Sequence, residues 1–322
     1  MDAHVLVTGG AGFIGSHLVD ALLARGARVT VLDRLTYAGS LDNLEAHRDD
    51  PAFRFEHGDV VDASVVRALV GTADRVIHAA AETHVDRSIS GPAEFVTTNV
   101  VGTQVVLDAC RAAGVPLLLV STDEVYGPNL PGASFDEEAP LRPRSPYAAS
   151  KAGAELLARS YAITYGMPVW IVRGTNAFGP RQHPEKAIPV FTMAAFAGEK
   201  LPIYADGRQS REWLYVTDWV AGCMTALAHG EPGEVFNIGG GHELTNLELA
   251  RLICELTGAD PSLISSVPDR PAHDLRYGIT SARLRELAWA PEVSFDDGLA
   301  RTVEWYRDHR DWVETMRAGA AT

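Results

Sequence analysis

Lysine is nearly missing from this chain. Of its 28 lysines and arginines only Lys151, Lys186 and Lys200 are lysines, so a lysine marks a place that calls for a compact ammonium rather than a wide guanidinium. Cysteine is scarce too. Cys110, Cys223 and Cys254 are isolated, odd in number and without metal-ligand spacing, which excludes a disulfide framework and suits a reducing, cytoplasmic setting. Positive charge is outweighed, with a formal net charge of −14, and that argues against a nucleic-acid or anionic membrane partner. No segment approaches the roughly 20 apolar residues of a membrane span. The first strand pattern begins within a few residues of the N-terminus, so no signal peptide is expected. His78, His84, His183, His242 and His273 are scattered along the chain, and no metal site is expected from them. Repeats, linkers and low-complexity runs are absent as well.

What is present begins with HVLVTGGAGFIGSHLVDALLARGARVTVLD. It reads as an apolar strand, a glycine turn, an amphipathic helix and a second strand ending in an acid. Gly9, Gly12 and Gly15, with Phe13 and Ile14 between the last two, have the roles such a turn needs. They allow a tight bend, a close approach of a pyrophosphate to the helix N-terminus, and packing of helix on strand. Asp33 closes the second strand, where a carboxylate accepts from an adenosine ribose diol and repels a 2′-phosphate, favouring NAD over NADP. Arg34 follows it and pulls the other way.

Strand signals recur at VLVTG, VTVLD, FRFEHGDV, RVIHAAA, PLLLVSTDE and PVWIVRG with helical patterns between them. That alternation predicts an α/β fold, a Rossmann-type doubly wound parallel sheet covered on both faces. The expected boundaries are 1–174 for a nucleotide-binding domain, joined by a return segment near 214–241. A smaller substrate-binding lobe would comprise 175–213 and 242–322, with LPIYADGRQSREWLYV as a hairpin-like stretch. Asp59, followed by Val60, ends the third strand pattern, where it either touches an adenine or caps the strand. Ala79, Ala80 and Ala81 end the fourth, leaving room for a cofactor or packing a tight corner. Thr98 and Asn99 fall in the next helix, and Asn is a poor helix former that needs a hydrogen-bonding task.

Two clusters carry chemistry. Tyr147 and Lys151 stand four apart in SPYAASKAG, one face of a helix, so an ammonium can lie beside a phenol and favour its ionised form. Thr122, Asp123 and Glu124 follow the fifth strand pattern. Adjacent carboxylates are expensive to bury without a task, and different surroundings would split them into an acid and a base. The bland readings are a surface Tyr with a solvated Lys and a polar loop cap.

In order along the chain, GGAGFIG, HAAAETHVDRSI, VSTDEVYG, SPYAASKAG, PEKAIP, LPIYADGRQSREWLYV, NIGGG and DRPAHDLRY resemble the dTDP-glucose 4,6-dehydratases of the extended short-chain dehydrogenase/reductase family. The resemblance implies that Thr122 and Tyr147 meet the sugar 4-hydroxyl and that Lys151 holds the nicotinamide ribose and lowers the Tyr147 pKa. It makes Asp123 the acid for the departing 6-hydroxyl and Glu124 the base at carbon 5. It implies a bound NAD and a nucleotide-diphosphate sugar held by Thr83, Asn176, Lys186, Pro202, Tyr204, Arg211, Asn246, Arg270 and His273. It implies a homodimer paired through the helices around TTNVVGTQVVLDACRAAG and YAASKAGAELLARSYAITYG.

One stretch departs from the family. Arg173-Gly174-Thr175-Asn176-Ala177-Phe178-Gly179-Pro180 stands where the family has Arg-Cys-Ser-Asn-Asn-Tyr-Gly-Pro, so a roomier, less polar wall near the sugar is expected. The same 4-oxidation serves a UDP-glucuronic acid decarboxylase or a 4-epimerase, and these are the alternative readings. A regulator that merely binds NAD is the reading outside enzymology.

Overall fold

The computed structural model describes residues 3–271 and 273–319; the ends of the expected domain ranges, residues 1–2 and 320–322, lie outside the described residues. The strands run β1 His4–Thr8, β2 Arg28–Asp33, β3 Phe53–His57, β4 Arg75–His78, β5 Leu117–Thr122, β6 Val169–Gly174, β7 Asn176–Phe178, β8 Leu201–Tyr204, β9 Ser210–Tyr215, β10 Val235–Ile238, β11 His242–Thr245 and β12 Ile264–Val267. Among the described residues the central sheet has seven strands in the order β10-β6-β5-β4-β1-β2-β3, and the pairs are parallel.

Both faces of this sheet are covered, which explains why its strands are continuously apolar rather than alternating. Val5 and Val7 of β1 face the helices Phe13–Ala24 and Val216–His229 through Leu18, Leu22 and Val220. Leu6, between them, faces the other side with Val66, Val106 and Leu107. Full burial of such side chains stabilises the layers by roughly 1.5–3 kcal/mol each. The chain reverses strand order between β1 and β4, and the crevice that opens beyond the carboxyl ends there is where open α/β sheets bind ligands.

The remaining strands build a second core from Phe178, Phe191, Trp213, Leu249, Phe295 and Leu299. The hairpin expected over 201–216 does not form. β8 pairs with β12 in parallel, whereas β9 lies between β11 and β7. Each strand takes a partner from later or earlier in the chain, and the local pattern carries no information about that choice. The helix expected around Thr98 is also not uniform. Val96–Gly102 is a π-helical turn leading into the α-helix Thr103–Ala113, a local widening that recurs at functional sites.

Candidate active site

The glycine turn fits a dinucleotide. Gly9 has φ +72°, and a β-carbon there would stand 2.6 Å from the Ala80 backbone. A β-carbon on Gly15 would meet the Gly9 carbonyl at 2.0 Å. Gly12 caps the helix Phe13–Ala24 with no side chain and no acid in the first turn, so the amides and the positive end of the helix face the cleft. Asp33 receives the amides of Ala11 at 3.0 Å and Leu35 at 2.8 Å, which fixes its carboxylate at the strand end; burial pushes it up from its ordinary value.

Arg34 is answered by three carboxylates. It lies 2.9 Å from Asp59, 3.0 Å from Glu94 and 3.6 Å from Glu82, so its charge is already balanced without a ribose phosphate. Phe13, Ile14, Val60, Ala79, Ala80, Ala81 and Thr98 line the same cleft. Asn99 has the task its helix position called for. It accepts from the Glu82 amide at 2.8 Å and donates to the Glu82 carbonyl at 3.0 Å and to Ser150 Oγ at 2.8 Å. The loop after β4 is thereby fastened to the helix that carries Tyr147.

That helix, Pro146–Tyr165, starts where Ser145 accepts from the Ala148 amide at 3.1 Å with proline at its first position, a favourable N-terminus. It is registered on β5 residue by residue. Lys151 Nζ donates to the Val120 carbonyl at 2.6 Å, Ser121 Oγ donates to Glu155 at 3.2 Å, and Thr122 lies by Tyr147. Burial lowers Lys151 to about 8, with Glu155 opposing. Tyr147 differs from expectation, for its phenol is held well above its ordinary value by burial and by the Glu124 charge, with Thr122 pulling it down. The ammonium points to a backbone carbonyl and does not offset those effects.

Asp123 and Glu124 open a short helical turn, Asp123–Tyr126, capped by Thr122. Burial, then the charges of Glu124 and Glu212, push Asp123 up to about 8, and its Oδ2 is buried without a partner. Glu124 is half-buried. It too is raised by burial, but Arg211, Arg270 and Lys186 pull it back down. Burial thus raises both carboxyls, and at Glu124 three cations oppose the rise.

Of the residues expected to hold substrate, Thr83, Asn176 and Lys186 line the cleft with Thr122, Asp123, Glu124, Tyr147 and Lys151, and Lys186 Nζ donates to the Thr83 carbonyl at 3.3 Å. Tyr204, Arg270 and His273 gather beside it. Tyr204 donates to Asp86 at 2.8 Å, Arg270 reaches the same carboxylate at 3.1 Å, and His273 stands edge-on to the Tyr204 ring. Arg211 is buried against the Ser210 and Asp274 carbonyls. Pro202 and Asn246 do not line the cleft: Pro202 is exposed on β8 and Asn246 opens the helix Asn246–Thr257.

The family model for GDP-mannose 4,6 dehydratase matches residues 6–302. The dTDP-glucose 4,6-dehydratases of Streptomyces griseus and Streptomyces niveus are 50% and 47% identical over 322 residues, covering 98% of this chain and 98% and 96% of their own. The chain belongs to the nucleotide-sugar 4,6-dehydratase family. A crystal structure of the dTDP-glucose 4,6-dehydratase DesIV from Streptomyces venezuelae, with NAD and TYD bound, superimposes with a TM-score of 0.95 at 50% identity, covering 97% of this chain and 99% of that one.

At position 174, where this dehydratase departs from its family, the wall gains no room. A β-carbon on Gly174 would lie 2.2 Å from the Trp219 ring, so the indole occupies the space that a side chain at 174 would take. Trp219 also donates to the Thr175 carbonyl at 3.2 Å and lines the cleft beside Ala177. Phe178 is turned away, packed among Trp213, Tyr215 and Phe295. Sequence reading passed over Trp219, for which no local signal exists. It also passed over Glu82 and Glu185, although both sit inside the motifs AAETHVD and PEKAIP.

Proposed function

We propose that this chain is an NAD-dependent dTDP-glucose 4,6-dehydratase that converts its substrate to the 4-keto-6-deoxy sugar nucleotide. The observation that carries the reading is the Asp123–Glu124 pair at the end of β5, one carboxyl pushed to about 8 and the other ringed by cations, opening into the cleft that holds Tyr147 and Lys151. When bound, NAD⁺ takes a hydride from sugar carbon 4 and returns it to carbon 6, so the cycle consumes no outside reductant.

Thr122 and Tyr147 meet the 4-hydroxyl, and Tyr147 takes its proton as the ketone forms. The raised phenol value makes Tyr147 a strong base once ionised, and the charge that favours ionisation comes with the loaded site. Lys151, anchored on Val120, holds the nicotinamide ribose. The new ketone acidifies carbon 5, and Glu124 removes that proton. Asp123, protonated at neutral pH, gives its proton to the 6-hydroxyl, which leaves as water, and Glu124 returns its proton to carbon 5 as the hydride reaches carbon 6. Its unpartnered Oδ2 is free to meet that hydroxyl.

The nucleotide end falls to the lobe formed by 175–213 and 242–322, with Asn176, Lys186, Tyr204, Arg211, Arg270 and His273 around the diphosphate and base. The cofactor end falls to 1–174 with the return segment 214–241, which supplies β10 to the central sheet. Gly9, Gly12, Phe13, Ile14 and Gly15 lie at the pyrophosphate, Asp33 at the adenosine ribose, Asp59 and Val60 at the adenine, and Ala79, Ala80, Ala81 and Thr98 along the cofactor's length. Among the described residues no cluster of metal-ligand type occurs and no helix is long and apolar enough to cross a membrane. The three buried free thiols support a cytoplasmic setting.

The decisive assay compares wild type with Glu124→Gln on dTDP-glucose. Wild type should yield a product lighter by one water. Glu124→Gln should still oxidise carbon 4 but stall, accumulating reduced nicotinamide absorbance with no loss of water. Wild type that loses CO₂ from a glucuronic acid nucleotide and no water from any glucose nucleotide overturns the reading.

A further inference from the structure

Glu185 has no part in the chemistry, yet it is where several segments of the cleft meet. It lines the cleft and is mostly buried. Tyr37 donates to its Oε1 at 3.2 Å from the loop after β2. The His84 imidazole, from the loop after β4, lies 3.7 Å away, as do His183 and Lys186 from its own segment. The Tyr37–Glu185 bond thus joins the segment that carries Asp33, Thr36 and Gly39 to the one that carries Lys186, and both segments line the same cleft.

The reach of Tyr37 is built, not incidental. Its loop is pinned at both ends, by the Leu35 amide on Asp33 at 2.8 Å and the Ser40 amide on the Ala11 carbonyl at 3.1 Å, and a turn from Gly39 to Thr36 at 3.0 Å thrusts the tyrosine out between them. The Arg87 guanidinium lies 3.7 Å over one side of the ring, and the His183 ring meets it edge-on with centroids 5.2 Å apart. Across the gap, Lys186 donates to the Thr83 carbonyl, so the far segment is also tied to the loop after β4.

We propose that Tyr37 and Glu185 form a latch over the cofactor cleft, with Glu185 as a positioning residue, and that this latch slows release of the dinucleotide between turnovers. The inference rests on the NAD-dependent reading. A reaction that borrows a hydride and returns it loses its intermediate whenever the cofactor leaves early. A closed strap from the ribose-side loop to the substrate-side segment supplies retention without adding a contact to the reacting atoms. Opening requires the Tyr37–Glu185 hydrogen bond to break along with the Tyr37–His183 ring contact, and Tyr37→Phe removes the hydrogen bond with little change of shape.

The test measures NAD release from the purified holoenzyme, trapped by an excess of a second NAD-binding dehydrogenase. Tyr37→Phe should release NAD about tenfold faster or more, the scale of one charge-assisted hydrogen bond. Its kcat at saturating added NAD should stay within about twofold of wild type, because the groups acting on the sugar are untouched. Glu185→Leu should release NAD as fast as Tyr37→Phe, and the double variant no faster than either. Glu185→Gln keeps an oxygen for Tyr37 and should fall between it and wild type. A Tyr37→Phe release rate within about twofold of wild type, or additive effects in the double variant, overturns the latch. Wild-type turnover of dTDP-glucose reports separately on the dehydratase reading, since release is measured without substrate.

Discussion

In the mechanism we propose, Asp123 sets how the reaction answers to pH. Burial and the neighbouring Glu124 and Glu212 charges raise it to about 8, so at neutral pH it carries the proton the leaving hydroxyl needs. As pH climbs through about 8 that proton is lost and elimination should fall about tenfold per further unit. Lys151, lowered to about 8 by burial, loses its charge over the same range and should weaken the oxidation step. Glu124→Gln, stalled after oxidation, separates the two. Its single-turnover reduction should show the Lys151 limb alone, whereas wild-type turnover should fall more steeply. Wild-type turnover still rising at about pH 9 would remove Asp123 from the acid's role. The same shift makes the fold less stable as pH rises from the ordinary 3.8 through about 8, because the folded carboxyl holds a proton that the unfolded one has lost. Much at this scale was legible in the sequence. Helix spacing puts Tyr147 and Lys151 on one face, and the resemblance to the dehydratases implies that the Thr122–Glu124 run joins them. The phenol's environment was not, since it depends on which carboxylates the fold brings beside it.

At the scale of elements, the strand-and-helix alternation and the glycine turn could be read because each is a local pattern with one stable outcome. β8 and β9, the π-helical turn at Val96–Gly102 and the Gly174–Trp219 contact could not, because each depends on residues distant in sequence. The last of these makes a sharp prediction. Trp219 is 1% exposed and its ring stands where a side chain at 174 would go, so Gly174→Cys should overpack the site and destabilise the protein by about 1–3 kcal/mol. Trp219→Leu should leave a cavity and cost a few kcal/mol by itself. Together the two should cost less than the sum of the singles, because the smaller leucine makes room for the thiol. Urea denaturation of the four proteins of that cycle supplies the check. Strict additivity would show that the indole moves aside without strain.

For the whole molecule, two helical elements keep large apolar side chains in water. Val96 and Val101, in the π-helical turn, are 50% and 42% exposed, while Leu156 and Ile163 on the helix Pro146–Tyr165 are 57% and 82% exposed. The two elements pack against each other, so these side chains lie on neighbouring surfaces. We propose that a second copy of the chain covers them under two-fold symmetry, in a four-helix bundle. The family resemblance pointed to these helices, but not to which of their apolar side chains the sheet leaves uncovered. Leu156→Arg with Val101→Arg should turn a dimer into a monomer in light scattering by placing unpaired charge at the centre of that bundle. The helix Pro146–Tyr165 carries Tyr147 and Lys151 and, through Asn99 and Ser150, the loop after β4, so the monomer should also lose turnover while keeping its secondary structure by circular dichroism. A wild-type chain that scatters as a monomer at micromolar concentration would overturn the dimer, and a double variant that still scatters as a dimer would place the contact elsewhere.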